Sequence, residues 1–250
     1  MKPHHADGDN AQPIEKRKHR VDGSLEVHSI FYTIQGEGPF CGTPAVFVRL
    51  AGCNLQCPGC DTDYTSNRQL MTPYEVLFEI NNLYRGEKWR RGLVVITGGE
   101  PFRQDLTALI AVLNDHSYYV QVESNGTLPP PMVHWQRKDI AARTGAYLVI
   151  SPKTGKINEL ALDAACALKY VGEFGDLAED DGLPNRALRH SANPRLARPP
   201  AWWDRPIYLQ PMDDHQDDKA NRRNMLAVLD SCLRHSYIIQ LQIHKILEVE

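Results

Sequence analysis

No stretch of this sequence approaches the roughly 18 consecutive apolar residues of a bilayer-spanning helix, so a membrane protein is not expected. An excess of charge of one sign is also missing. The net charge of −3 offers no broad basic surface, and nucleic acid is not expected as a partner. The N-terminal MKPHHADGDNAQPIEKRKHR is charged but has no apolar h-region, which argues against a secretory signal and makes the cytoplasm the expected location. No solenoid repeat is visible. With 42% apolar and 24% charged residues over 250 positions, the chain can bury a substantial core in one large α/β domain or two small ones.

Cysteine is scarce but concentrated. Of six, Cys53, Cys57 and Cys60 fall within eight residues, CNLQCPGC, spaced C-x3-C-x2-C. Without a secretion signal, so tight a cluster reads as metal binding rather than as disulfides. A redox C-x-x-C at Cys57 and Cys60 would leave Cys53 unexplained. Cys166 and Cys232 read as small buried hydrophobes, and Cys41 as non-ligating. Three thiolates are one short of a structural zinc site, which would need His28, Cys41 or a distant histidine as its fourth ligand. They also suit a [4Fe–4S] cube with one iron left free for a small molecule.

Along the chain, residues 1–24 are polar and aperiodic and predict a disordered extension, with Lys16 to Arg20 as a weak anionic contact. Strands are expected at 44–50, 93–101, 118–126, 146–153, 167–172, 206–211 and 237–245. Helices are expected at 72–84, opened by Thr72, Pro73 and Glu75, at 105–115 and at 219–235. Alternating strands and helices imply βα units and a mostly parallel sheet. TGGEP, ESNG, SPK and QPMD each follow a strand, at the edge where α/β sheets bind ligands, so together they would ring one pocket. Residues 183–206, with five prolines and five arginines, predict an irregular insertion tucked onto its own domain.

The cysteine spacing together with TGGEP resembles the radical S-adenosylmethionine superfamily. The ordered series TIQGEG, FVRLAGCNLQC, CDT, ITGGEP, ESNGT, SPK, LQPMD and a terminal QxHK is similar to the 7-carboxy-7-deazaguanine synthase family over roughly residues 26 to 250. That resemblance implies a truncated β/α barrel with a mostly parallel sheet. It also implies a homodimer that contracts 6-carboxy-5,6,7,8-tetrahydropterin to 7-carboxy-7-deazaguanine with loss of ammonia, in queuosine precursor synthesis. The implied cofactors are a [4Fe–4S] cluster, S-adenosyl-L-methionine and Mg2+, with an electron donor such as flavodoxin or ferredoxin. In the family, one-electron reduction cleaves the sulfonium to a 5′-deoxyadenosyl radical, so no protein side chain is assigned as the catalyst.

Residue by residue, the resemblance assigns Cys53, Cys57 and Cys60 to the cluster and Thr62 to magnesium. It assigns Ile34, Gln35, Gly36, Arg49, Thr97 and His244 to the substrate. Gly99, Ser151, Pro152, Lys153, Gln210, Pro211, Met212 and Asp213 fall to S-adenosylmethionine, with Ser124 and Asn125 nearby. Several of these also have a plain structural reading. Arg49, between Val48 and Leu50, needs an anion, either the substrate carboxylate or an internal partner such as Glu37 or Asp61. Glu100 reads as orienting its loop, and His244 as a histidine in an apolar strand. The match departs at Pro58-Gly59, where many relatives carry Trp before the third cysteine, and at Ile243, where Thr is usual. Whether Glu250 enters the substrate site is open. A glycyl-radical activase and a zinc-stabilised binding module are the competing functions.

Overall fold

The computed structural model describes residues 10–84, 92–137, 144–190, 194–214 and 217–249. In chain order its elements are β1 (Leu25–Ile34), β2 (Pro44–Leu50), β3 (Gln69–Met71), α1 (Pro73–Leu83), β4 (Leu93–Gly98), α2 (Thr107–Asp115) and β5 (Tyr119–Ser124). There follow β6 (Trp135–Gln136), β7 (Ala146–Ile150), α3 (Glu159–Ala164), β8 (Ala165–Gly172), β9 (Ile207–Pro211), α4 (Asp218–His235), β10 (Ile238–Ile239) and α5 (Ile243–Ile246).

The strands form one open sheet in the order β10-β9-β8-β7-β5-β4-β2-β1-β3, with β6 beside β7. Every pairing from β2 through β10 is parallel, while β1 runs antiparallel to β2 and β3. The sheet is thus mostly parallel, as expected, and does not close.

The strand period of two decides what each face carries. Val46, Val48 and Leu50 of β2, Val94 and Ile96 of β4, Val120 and Val122 of β5, and Leu148 and Ile150 of β7 belong to the main core with Val76 and Ile80 of α1 and Leu109 and Leu113 of α2. The residues between them make the other face. Its lower half is apolar, with Ala45, Val95, Tyr147, Val149 and Ala167 around Phe40. Toward the C-terminal ends that face turns polar: Arg49 stands beside Thr97, Glu123 beside Val149, Lys169 beside Tyr208 and Val171 beside Gln210. This polar edge positions the site.

The helix starts follow the sequence. Thr72 accepts the Glu75 N–H at 3.3 Å, and the Glu75 carboxylate accepts the Thr72 N–H at 2.7 Å, a complete capping box with Pro73 behind it. Three readings need correction. Of the extension expected over 1–24, residues 1–9 lie outside the described residues, and residues 10–24 are not a free tail but lie against the cluster loop and β1. Ile14 bridges Cys53, Gln12 donates to the Thr62 carbonyl at 2.9 Å, and Lys18 and Arg20 pair with Glu26 rather than with an outside anion. Most of residues 11–20 stay exposed, while Lys18 and Arg20 reach the buried Glu26. Second, β1 is a ten-residue strand that its half-polar composition concealed. Third, residues 237–245 do not form one strand. Only Ile238 and Ile239 pair with β9, and Ile243–Ile246 turns helical, so His244 is in no strand. Residues 183–190 and 194–206 are irregular, 191–193 lying outside the described residues, and Arg205, 4.8 Å from the Trp203 ring, donates to the Leu162, Asp163 and Ala165 carbonyls and so ties the tryptophan pair to this domain.

Candidate functional site

The polar strand ends and the cysteine loop enclose a cavity of about 300 Å3. Its walls include Ile34, Gln35, Arg49, Cys53, Cys57, Cys60, Thr62, Thr97, Gly99, Ser124, Asn125, Ser151, Lys153, Gln210, Met212, Asp213 and His244. Seventeen candidates, from the C-terminal ends of β1, β2, β4, β5, β7 and β9, the cysteine loop and α5, therefore meet in one place. Gly36, Pro152 and Pro211 are not among its lining residues; Gly36 backs directly onto His244.

Cys53 and Cys57 are buried, and Cys60 is half-buried. Burial pushes the Cys53 thiol up to about 12 and the Cys60 thiol up to about 11, and raises Cys57 as well. Left alone, these thiols keep their protons; a cation is needed to stabilise the thiolates, and its binding would release protons. This donor set fits an iron–sulfur cluster. Cys41 instead donates to the Gly36 carbonyl at 3.3 Å, and His28 bonds Ser29 and Ser66. Neither lines the cavity, and among the described residues no three His, Cys, Asp or Glu side chains converge on a single-ion site. Thr62 Oγ donates to Asp61 at 3.1 Å at the cavity's edge.

The TGGEP turn is fixed from the protein side. A Cβ on Gly99 would overlap the Gly52 carbonyl oxygen and lie 3.0 Å from Cys53 Cβ, so only glycine lets the β4 turn pass beneath the cluster loop. Glu100 is fully buried and accepts from the Phe102 N–H at 3.0 Å, Ser124 Oγ at 2.7 Å and the Asn125 N–H at 2.8 Å. Burial raises its carboxyl to about 6 against these donors. It joins the β4 and β5 turns, which matches the orienting role expected of it. Gly99→Ala should cut retained iron by more than about half and lower the melting temperature by several degrees, roughly 1–3 kcal/mol of overpacking. Iron analysis and calorimetry check this; wild-type values would contradict it.

Arg49 makes no ion pair with Glu37 or Asp61. Its Nε is buried without a hydrogen-bond partner, and the guanidinium lies 5.3 Å from the Phe31 ring centroid. Glu37 is committed to Lys169 through a short ion pair. Burial opposes the charge of Glu37, but Lys169 outweighs it and holds the carboxyl down; Lys169, desolvated in turn, is raised by Glu37 and Glu123. Burial pushes Glu123 up even as it accepts from Gln35 at 2.9 Å and Gln121 at 3.0 Å. Lys153 is lowered by burial and donates to Ser151 Oγ at 2.5 Å.

Lys169 and Glu123 were missed in the sequence. The signal was present: Lys169 is the one charge in ALKYVG, and Glu123 opens ESNG. Their pairing across 132 residues to Glu37, in the case of Lys169, has no local signature.

A family model described as a 4Fe-4S single cluster domain matches residues 34–124, which contain all three clustered cysteines. A 7-carboxy-7-deazaguanine synthase from Rhodospirillum rubrum is 38% identical over 235 residues, covering 90% of this chain and 93% of the relative. The chain belongs to the 7-carboxy-7-deazaguanine synthase family. A second member of that family, from Rickettsia prowazekii, is 36% identical over 237 residues, covering 92% of this chain and 91% of its own length. The crystal structure of QueE from Escherichia coli aligns with a TM-score of 0.59 at 22% identity, over 87% of this chain and 93% of that one. At that identity the likeness speaks for the fold: the same open α/β sheet.

Proposed function

We propose that this chain is a 7-carboxy-7-deazaguanine synthase, contracting 6-carboxy-5,6,7,8-tetrahydropterin to 7-carboxy-7-deazaguanine with release of ammonia. The observation that carries this reading is that three clustered cysteines and Arg49, which has no ion-pair partner among the described residues, open onto one cavity. Cys53, Cys57 and Cys60 would hold a [4Fe–4S] cluster. Gly99, Ser124, Asn125, Ser151 to Lys153 and Gln210 to Asp213 would hold S-adenosylmethionine. Once bound, the cluster supplies the single electron that makes the cofactor reactive toward the pterin, and a flavodoxin or ferredoxin would deliver it.

The protein's own residues orient, neutralise and enclose. Arg49 would offer a planar fork to the pterin carboxylate, with Ile34, Gln35, Gly36, Thr97 and His244 around the ring, and Thr62 would help hold a Mg2+ that supplies further positive charge to the substrate. The Arg49 position is strong for an anion because its Nε is buried without a hydrogen-bond partner and no carboxylate among the described residues pairs with it. Glu123, raised by burial, and His244, lowered by it, are two proton-carrying groups that face the cavity, and ammonia loss requires a proton donor. Glu37 and Lys169 neutralise each other and keep the floor polar. The product would enter queuosine precursor synthesis, and the protein would act as a homodimer. A glycyl-radical activase is less well served, because buried charges matched to a small anion would face a polypeptide.

Arg49→Ala should raise the KM for the tetrahydropterin about 100-fold while the cluster absorbance near about 400 nm stays unchanged. Arg49→Lys should recover only part of this, because an ammonium cannot form the fork. Steady-state kinetics on reconstituted protein decide it; an unchanged KM in Arg49→Ala would remove Arg49 from the substrate site.

A further inference from the structure

Two features of the sequence have no part in that reading: Pro58-Gly59 in the cluster loop and the irregular 183–206 insertion. The structure joins them. The Gly59 N–H donates to the Leu188 carbonyl at 2.9 Å. A Cβ on Gly59 would lie 3.2 Å from that oxygen, 3.3 Å from its carbon and 3.5 Å from Leu188 Cα. A larger side chain at 59 would therefore have to displace the turn that carries Leu188.

That turn is held against its own preference. Leu188 and Arg189 have φ of 47° and 63°, the left-handed region that side chains other than glycine rarely adopt. The Arg186 N–H donates to the Asp176 carboxylate at 3.2 Å, and the His190 N–H to the Ala187 carbonyl at 2.9 Å. On its far side Arg189 reaches Asp214 at 2.8 Å, the residue after the QPMD turn. The turn thus runs from the cluster loop to the β9 end, and Gly59 and Leu188 both line the cavity. It lies on the β7 and β9 side, with Lys153 and Met212, whereas Arg49 and Thr97 lie on β2 and β4.

We propose that the insertion supplies the cavity wall that the cluster loop lacks, and that Leu188 is a binding residue for the nucleoside end of S-adenosylmethionine. A flat heteroaromatic base presents an apolar face that suits an aliphatic side chain, and the backbone tie at Gly59 holds Leu188 against the cluster loop in the cavity wall. Where a bulky residue precedes the third cysteine, the loop can build this wall itself. Here Gly59 leaves the space, and a segment more than a hundred residues away fills it. The inference rests on the cofactor reading given under Proposed function.

The test is S-adenosylmethionine affinity, measured anaerobically by equilibrium dialysis on reconstituted wild type, Leu188→Ala and Leu188→Met, with cluster absorbance and melting temperature recorded for each. Leu188→Ala should bind about 10-fold more weakly than wild type, with the same absorbance. Leu188→Met, which keeps the volume and apolar character, should stay within about 2-fold. Wild-type affinity in Leu188→Ala overturns the proposal and leaves the parent reading intact. Equal weakening in both variants shows that the turn was disturbed rather than the wall, and overturns the assignment of Leu188. A wild-type protein that carries the cluster but binds no S-adenosylmethionine overturns the parent reading and this one together.

Discussion

Cys57→Ser should leave the reconstituted protein without its brown colour and lower turnover by more than about 100-fold, while Cys41→Ser and Cys166→Ala keep both. The contrast follows from where the thiols stand. Cys57 is buried in the cavity wall with Cys53 and Cys60, and all three are held protonated by burial until a cation replaces the proton. A serine hydroxyl ionises far less readily than a thiol and is a poor partner for iron, so the loop would retain two ligands. Cys41 spends its thiol on the Gly36 carbonyl, and Cys166 is packed with Tyr147 and Ala167 on the sheet. Absorbance and iron content, read beside activity, separate loss of the cluster from loss of fold. A Cys57→Ser protein with full colour and wild-type turnover would disprove the cluster assignment.

Arg103→Met should destabilise the protein by about 3–5 kcal/mol, the largest stability effect expected of a single substitution here. The Arg103 side chain is 1% exposed, with Glu26 at 2.7 Å, the Ala51 carbonyl at 2.9 Å and Glu15 at 3.3 Å. Glu26, 7% exposed, also faces Lys18, Arg20 and Arg68. Removing one guanidinium takes from Glu26 the partner that is itself buried, Lys18, Arg20 and Arg68 being 30–47% exposed, beneath the turn that launches the cysteine loop. Desolvation pushes the Glu26 carboxyl up, but Lys18, Arg103 and Arg68 overcome it and hold the group at about 2.

The sign of the pH dependence follows. A carboxyl whose folded pKa lies below its unfolded value of 4.5 contributes stability above that pH and loses it as the pH falls toward about 2. Glu26→Gln should therefore be less stable at pH 7 and show a flatter loss of stability between pH 4.5 and about 2. Denaturant titrations across that window measure both variants. A loss below about 1 kcal/mol in Arg103→Met would show that neighbouring charges compensate for it.

What could be read from the sequence was what is local. Val, Ile and Leu runs at 44–50 and 93–98 are buried on both faces of a central sheet, and such strands carry their signal in composition. Thr72-Pro73-Glu75 placed a helix start because its partners are three residues apart. The four strand-end turns were legible as one pocket because a parallel sheet puts all its C-terminal ends at one edge. What depends on distant partners was hidden. Residues 10–24 look like a solvated tail until Arg103 and Glu26 are set beneath them. The Glu37–Lys169 pair joins the Gly-rich loop after β1 to β8, 132 residues later. In QLQIHK the apolar alternation suggested a strand, but Gln240 turns inward to donate to the Gly36 carbonyl at 3.1 Å, and the chain coils over Gly36 as a helix. Gly59 and Leu188 became meaningful only together.

The most direct test of the account is an anaerobic assay of the reconstituted protein with 6-carboxy-5,6,7,8-tetrahydropterin, S-adenosylmethionine, Mg2+ and a low-potential reductant, followed by chromatography and mass detection. The account predicts 7-carboxy-7-deazaguanine and an equivalent of ammonia, formed only when S-adenosylmethionine is present and reduced when Mg2+ is withheld. Turnover of the pterin without S-adenosylmethionine, or none at all from protein carrying its full cluster, would contradict it.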